Sequence, residues 1–282
     1  MKINQYFRLM LACLALSSCS SVMYQVYEVQ SPDLSVKNNS MVYENQVCKV
    51  FYNLWENNGS MAFIFENTSD KDIFIDMSKS FFIKNDAAYD YFKNRSYETH
   101  VFESVELGLS TSNTYINPNG YWPNRYIYPI ATTTKASYNA KSGMSTGVTI
   151  QEPKYVCVPA HAYKVISVYK IYPEFVTLCK NSQDFPKYEA TLKTYSKDES
   201  PLKFTNRIAY SFEEGGEIAE RIDNSFWLSS VKNYSAKAAI EKRKEKVGCS
   251  SVVQRKQYFK IGGPNQFYVT YTKLSSGSMT DI

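Results

Sequence analysis

Histidine is nearly missing from this chain: His100 and His161 are the only two among 282 residues. The six cysteines include no C-x-x-C pair and none at ligand spacing from a histidine, which argues against a zinc site. No H-E-x-x-H metalloprotease pattern occurs. Glycine and proline are sparse, at 11 and 10 residues, so low-complexity or disordered composition is excluded over most of the length. No run approaches the roughly 20 apolar residues needed to cross a bilayer as a helix. Charge of one sign is also weak. The formal net charge is +5, too small an excess to argue for nucleic acid as a partner.

Aromatic residues are what the chain has in abundance. They make up 15% of it, with 24 tyrosines. Residues 9–16 (LMLACLAL) form a short apolar run behind Lys2 and Arg8, followed by Ser17, Ser18 and Cys19. This is the layout of a secretory signal. The segment Leu16-Ser17-Ser18-Cys19 resembles a bacterial lipobox, which implies cleavage before Cys19 and acylation of that cysteine. Acyl chains contribute about 0.8 kcal/mol per buried CH₂, so a multiply acylated terminus holds firmly. Residues 1–18 then read as signal peptide and 19–40 as lipidated cysteine and tether, although residues 24–29 could add an early strand. The partner implied is a membrane, reached through the N-terminal lipid. Ser20, rather than Asp, follows Cys19. By analogy with Gram-negative sorting, the expected location is the outer membrane. The absence of an acidic cluster after Cys19 favours its periplasmic face over the cell surface.

Removing the signal takes away two basic residues and no acids, leaving a net charge of about +3. Of the remaining cysteines, Cys48, Cys157, Cys179 and Cys249 are an even set in an oxidising compartment. Disulfides and buried thiols are both open readings.

Period-two alternation dominates the pattern. In residues 47–55 (VCKVFYNLW), Cys48, Val50, Tyr52 and Leu54 share a face, and residues 61–65 (MAFIF) resume the run beyond Asn57-Asn58-Gly59. That reads as a hairpin. Ile73 and Ile75 alternate with acids. Residues 81–84 and 87–92 suggest a second hairpin. Strands return at 155–158, at 163–171 with Tyr163, Val165 and Ile171 on one face, at 202–210, at 226–231 and at 266–273. Ser235 is placed to cap a helix over 236–247, ended by Gly248. About ten to twelve strands with one helix in the C-terminal region, and no βαβ alternation, predict a mainly β protein: an antiparallel, Ig-like β-sandwich over 41–282. Residues 93–153 lack a sustained period and read as a long irregular insertion. A split into two small β domains near 130–150 is the rival architecture.

No constellation predicts catalysis, and none calls for a cofactor. Asp70, Asp72 and Asp76 lack the glycine and bidentate glutamate of a calcium loop, and Asp72 and Asp76 are expected to face solvent. Glu103 with Glu106, and Glu213 with Glu214, read as surface charge. Tyr115, Tyr121, Trp122, Tyr126 and Tyr128 crowd among asparagines within the insertion. Such rings commonly fold back over an open sandwich edge. Tyr121, Trp122, Tyr126 and Tyr128 are the candidate ligand contacts if the segment instead meets a glycan or an envelope protein. The basic run 242–246 reads as a solvated helix face or a contact for anionic lipid.

The lipobox, residues 24–29 (YQVYEV), and the stretch from 41–45 (MVYEN) through 74–85 (FIDMSKSFFIKN) resemble lipoproteins of Bacteroidetes with no assigned activity, chiefly over residues 1–95. That resemblance implies a lipid anchor and a β-rich fold, and no catalytic residues. The expected role is non-catalytic binding or scaffolding at the cell envelope, with a surface glycan-binding lipoprotein or a fimbrial structural subunit as alternatives.

Overall fold

A computed structural model of the chain describes residues 22–102, 145–246, 253–273 and 279–281. Its strands run in chain order as β1 (Val22–Gln30), β2 (Ser35–Lys37), β3 (Ser40–Glu44), β4 (Cys48–Tyr52), β5 (Phe63–Asn67), β6 (Ile73–Asp76), β7 (Phe81–Lys84) and β8 (Ala87–Asp90). There follow β9 (Ser96–Phe102), β10 (Ser145–Gln151), β11 (Tyr155–Val158), β12 (Tyr163–Ile166), the short helix α1 (Asn181–Asp184), β13 (Glu189–Thr194) and β14 (Lys203–Ser211). The chain continues with β15 (Glu220–Ser235), the helical turn α2 (Ala236–Ala239), β16 (Ile240–Lys246), β17 (Val253–Phe259), β18 (Gln266–Lys273) and β19 (Met279–Asp281).

The protein is mainly β, an antiparallel sandwich. One sheet has the order β11-β6-β14-β15-β1-β18-β19, with β7, β8 and β13 attached, and the other runs β12-β5-β4-β3-β2. The sixteen-residue β15 is the backbone of the larger sheet. β14 pairs with its first half and β13 with its second half, while β1 pairs with that second half on the opposite side. Asn38-Asn39 and Asn85-Asp86, all with positive φ, close two-residue hairpins at β2/β3 and β7/β8. Asparagine and aspartate tolerate that left-handed backbone better than other non-glycine residues, which is why they sit there.

Alternation decides what each sheet buries. Cys48, Val50 and Tyr52 of β4 and Phe63 and Phe65 of β5 point at Phe204, Ile208 and Tyr210 of β14 and Ile222, Phe226 and Leu228 of β15, all essentially inaccessible. Phe204 stacks on Phe226 at 4.8 Å, and Tyr52 meets Phe226 edge-on at 5.4 Å. This one core draws strands from both sides of the insertion, from Tyr27 to Val269.

A polar thread crosses the sandwich. The Tyr91 hydroxyl donates to Asn206 Oδ1 at 2.8 Å, Asn206 Nδ2 donates to the Tyr52 hydroxyl at 2.9 Å, and that hydroxyl donates to Asn224 Oδ1 at 2.8 Å. Burial pushes the Tyr52 and Tyr91 phenols far above their ordinary range, so both remain neutral donors.

Three expectations change. The segment read as a tether enters the sheet at Val22, because β1 is hydrogen-bonded on both sides, to β15 and β18. The strand at 163–171 ends at Ile166, with Tyr163 and Val165 exposed. The helix over 236–247 is only one turn long. Ser235 does cap it, accepting from the Ala238 amide, but the chain extends from Ile240 and pairs with β17. Ile240 and Phe259 face each other at the root of that pair, and tertiary pairing overrides the helical preference of the Lys- and Glu-rich run.

Candidate functional site

The insertion is not irregular at its base. β9 and β10 form an antiparallel ribbon in continuous register from Ser96↔Gln151 to Phe102↔Ser145. Residues 103–144, with the candidate contacts Tyr121, Trp122, Tyr126 and Tyr128, lie outside the described residues, as do Cys19 and Cys249.

Glu152 clips the root of the ribbon. Its carboxylate accepts from the Lys93 amide at 2.9 Å, the Arg95 amide at 3.1 Å and Arg95 Nη2 at 2.6 Å, while its own amide donates to the Arg95 carbonyl. Hydrogen bonding from the Arg95 guanidinium, helped by the two amides, holds the Glu152 carboxyl down at about 2. Beneath it, Tyr169 packs against Phe82 at 5.5 Å and Tyr91 at 5.4 Å, donates to the Asp90 carbonyl, and lies under the Lys93 ammonium at 5.0 Å. Sequence reasoning missed Glu152 and Arg95. The signal was available, as opposite charges on the two shoulders of a segment without periodicity.

The ribbon leaves the sheet near one end of β15. The Tyr91 amide, two residues before Lys93, donates to the carbonyl of Ser80, between β6 and β7; the Ser80 hydroxyl accepts from the Ala209 amide, and Ala209 is opposite Arg221. The N-terminal end of β1 lies at the other end of β15, where Met23 is opposite Ser235. From Arg221 to Ser235 is roughly 45 Å of strand contour.

The remaining candidates disperse. Asp70 accepts from His161 Nε2 at 3.0 Å on the open surface, with the two side chains 97% and 64% exposed. Asp72 accepts from the Ala160 amide and so fixes the same turn. Asp76 departs from the expectation that it faces solvent. It is buried at the far end of β6, where Oδ1 accepts from the amide and hydroxyl of Ser78. No group of three His, Cys, Asp or Glu side chains among the described residues is placed to hold a metal. Gly143-Met144-Ser145-Thr146-Gly147 spells G-x-S-x-G, a match that sequence reasoning passed over. Ser145 opens β10 opposite Phe102, in a hairpin strand and not at the strand-to-helix turn that exposes a nucleophile.

Cys48, Cys157 and Cys179 are free thiols, which corrects the disulfide reading for these three. Cys48 is buried, chiefly by that burial pushed up to about 12, and packs as a small hydrophobe. Cys157 lies on the edge strand β11, and Cys179 is exposed.

Where the smaller sheet ends, residues 173–185 strap the inner face of the larger one. Gln25 and Asn233, both fully buried, bind the strap backbone at Val176, Gln183 and Asp184. A cleft of about 170 Å³ remains beside it, lined by Lys84, Glu174, Tyr195 and Leu228 among others. That is smaller than the roughly 300 Å³ of ordinary small-molecule sites. Burial lowers the Lys84 ammonium, which donates to the Tyr172 carbonyl. On the outer face of the smaller sheet, Lys37 and Lys49 both pair with Glu44, and Glu66 lines the same depression, so its charges balance.

No family model, curated protein or solved structure matches the chain.

Proposed function

We propose that this chain is a lipid-anchored envelope protein without chemistry of its own, which binds a partner through residues 103–144 held away from the membrane. One observation carries the reading: β15 is a continuous strand with the start of β1 at one end and the insertion root at the other. If Cys19 carries lipid, only Ser20 and Ser21 lie between it and Val22, three steps or about 10 Å of extended chain. An anchor so close to a central strand orients the whole sandwich, and a loose tether would not. The Glu152 clip and the Tyr169 ring stack then fix the base of the displayed segment.

The partner is a glycan or an envelope protein. Asparagine amides between aromatic faces suit sugar hydroxyls and C–H faces. A fimbrial role by strand exchange requires a removable N-terminal strand. β1 is instead tied by Gln25 to Asn233 and Val176, and its Tyr27 ring stacks on Phe267.

Two measurements test this. In high salt, Cys19→Ala should move the protein from the membrane to the soluble fraction, and retention there overturns the anchor. Replacing Trp122 and Tyr126 by Ala should abolish capture on a glycan array or in crosslinking on cells, with the melting temperature unchanged. A collapse of the melt would make those rings core and refute the display role.

A further inference from the structure

The pair β16/β17 is a two-stranded ribbon outside both main sheets. Residues 240–260 hold seven basic and two acidic side chains, a net of +5, equal to the net charge of the whole chain. The chain's basicity is thus concentrated in one hairpin.

Its register is unusual. Lys244 is opposite Arg255, and Arg243 is opposite Lys256. Like charges directly across a strand pair destabilise it. Arg243 is relieved by Glu241 and by the Tyr258 ring at 5.1 Å. Alternation puts those groups on one face and Lys242, Lys244 and Arg255 on the other, where no carboxylate alternates with them. Lys242, Lys244 and Arg255 are exposed, and none has an ion-pair partner among the described residues.

The position of the root is equally informative. β15 ends at Ser235 opposite Met23, and α2 leads directly from there into β16. Tyr24 meets Phe259 edge-on at 5.5 Å, and Trp55 meets the same ring at 5.1 Å. The Lys260 amide donates to Ala239. The cationic ribbon and the first residues of β1 therefore leave the sandwich at the same end, within reach of a surface that holds the N-terminus.

We propose that the β16/β17 ribbon is an electrostatic foot: the face formed by Lys242, Lys244 and Arg255 engages the phosphates of anionic phospholipids in the membrane that carries the anchor. This rests on the anchored reading above for its biological setting, but the lipid contact is testable apart from it. Anionic surfaces attract basic side chains within about a Debye length, roughly 10 Å in dilute salt, and each Lys or Arg changes partitioning about fivefold.

The test uses residues 22–282, which contain every described strand and the whole described core but lack Cys19. The protein is sedimented with vesicles of phosphatidylcholine, with or without one-third phosphatidylglycerol, at low and high salt. Binding should require phosphatidylglycerol, vanish in high salt, and fall at least tenfold in the triple variant Lys242→Gln, Lys244→Gln, Arg255→Gln. The charge-preserving variant Lys242→Arg, Lys244→Arg, Arg255→Lys should bind like the parent, which separates lost charge from lost folding. Equal binding to pure phosphatidylcholine, full binding by the glutamine variant, or capture by soluble heparin without vesicle binding each overturns the proposal. Failure of the anchor itself is read separately, by membrane fractionation of Cys19→Ala in high salt, which releases the foot.

Discussion

Gln25 and Asn233 are opposite one another on β1 and β15, and Gln25 Nε2 donates to Asn233 Oδ1 at 3.0 Å. Each amide then turns its free end to the strap: Gln25 binds the carbonyl and amide of Val176, and Asn233 Nδ2 donates to the carbonyls of Gln183 and Asp184. Two buried side chains thus pin the strap, whose Phe175, Val176 and Leu178 pack against the core. Asn233→Ala leaves several of these groups buried and unpaired. The expected loss is about 2–3 kcal/mol, and a fall in melting temperature of roughly 5–10 °C. Amide exchange should accelerate at Val176, Leu178 and Lys180 before it does in β14. Uniform acceleration across the protein would show that the strap is not a separate unit.

Tyr52 is the middle of the thread from Tyr91 to Asn224. Its hydroxyl both accepts from Asn206 and donates to Asn224. Tyr52→Phe keeps the ring contacts with Phe63 and Phe226 and removes both hydrogen bonds. Asn224 Nδ2 already has no partner among the described residues, so the variant strands a whole amide. Denaturant unfolding should show a loss of about 2–3 kcal/mol. A loss below about 0.5 kcal/mol would mean that the thread contributes specificity and little stability.

Gly262 sits at φ +117, and a Cβ built there would lie 2.5 Å from Trp55 Cε2. The clash is with an indole, 8% exposed, that is itself wedged against Phe259 and Tyr268. Gly262→Ala combines overpacking, about 1–3 kcal/mol, with backbone strain of similar order. Because Phe259 closes the β16/β17 ribbon, tryptophan fluorescence should report disordering of the ribbon root at temperatures below the global melt. A single transition with unchanged fluorescence would refute the coupling.

How much of this could be read beforehand follows from range. Alternation in residues 48–52, 63–67, 73–76 and 203–211 is local, so the strands and their buried faces were legible; Leu202, Phe204, Asn206, Ile208 and Tyr210 are all buried as the pattern required. The ribbon was not. The run 240–246 (IEKRKEK) has strong helix formers and no apolar stripe. What decides it is pairing with residues 253–259, together with packing of the half-buried Phe259 ring against Tyr24 and Trp55. The strap was equally hidden, since Gln25 and Asn233 are 208 residues apart in sequence. Neither residue advertises a structural role. The lipobox and the aromatic run are motifs of the sequence and lie outside the described residues; the separation of the start of β1 from the insertion root along β15 emerges only from register.

Acid should loosen the insertion root first. The folded Glu152 carboxyl is depressed from 4.5 to about 2. A depressed acid contributes stability that is fully present above the unfolded value and lost as pH falls through the folded one. The window is therefore about pH 4.5 down to 2. Arg95 is 42% exposed, so solvent screening limits the effect to about 1 kcal/mol. Exchange at the Lys93 and Arg95 amides should rise between pH 5 and pH 2.5 beyond the intrinsic trend. Glu152→Gln should remove that excess. An unchanged profile in the variant would assign the acid sensitivity to other carboxylates.

Thiol chemistry separates the three described cysteines. Cys179 is exposed and should alkylate first under native conditions. Cys157 is half-buried, with its thiol raised by burial and by the nearby Asp72 carboxylate, and should follow. Cys48 is enclosed between the sheets, beside Asn45 and Glu220, with its thiol pushed up to about 12. At pH 8 its thiolate fraction falls roughly a thousandfold below that of an ordinary thiol, and the reagent has no path to it. Its labelling should therefore track global unfolding and accelerate in Tyr52→Phe in proportion to the stability lost. Peptide masses after iodoacetamide, natively and in denaturant, with and without prior reduction, read both points. Equal masses would agree with free thiols at all three positions. A reduction-dependent gain at Cys48 would place a disulfide inside the core and overturn the packing described for β4.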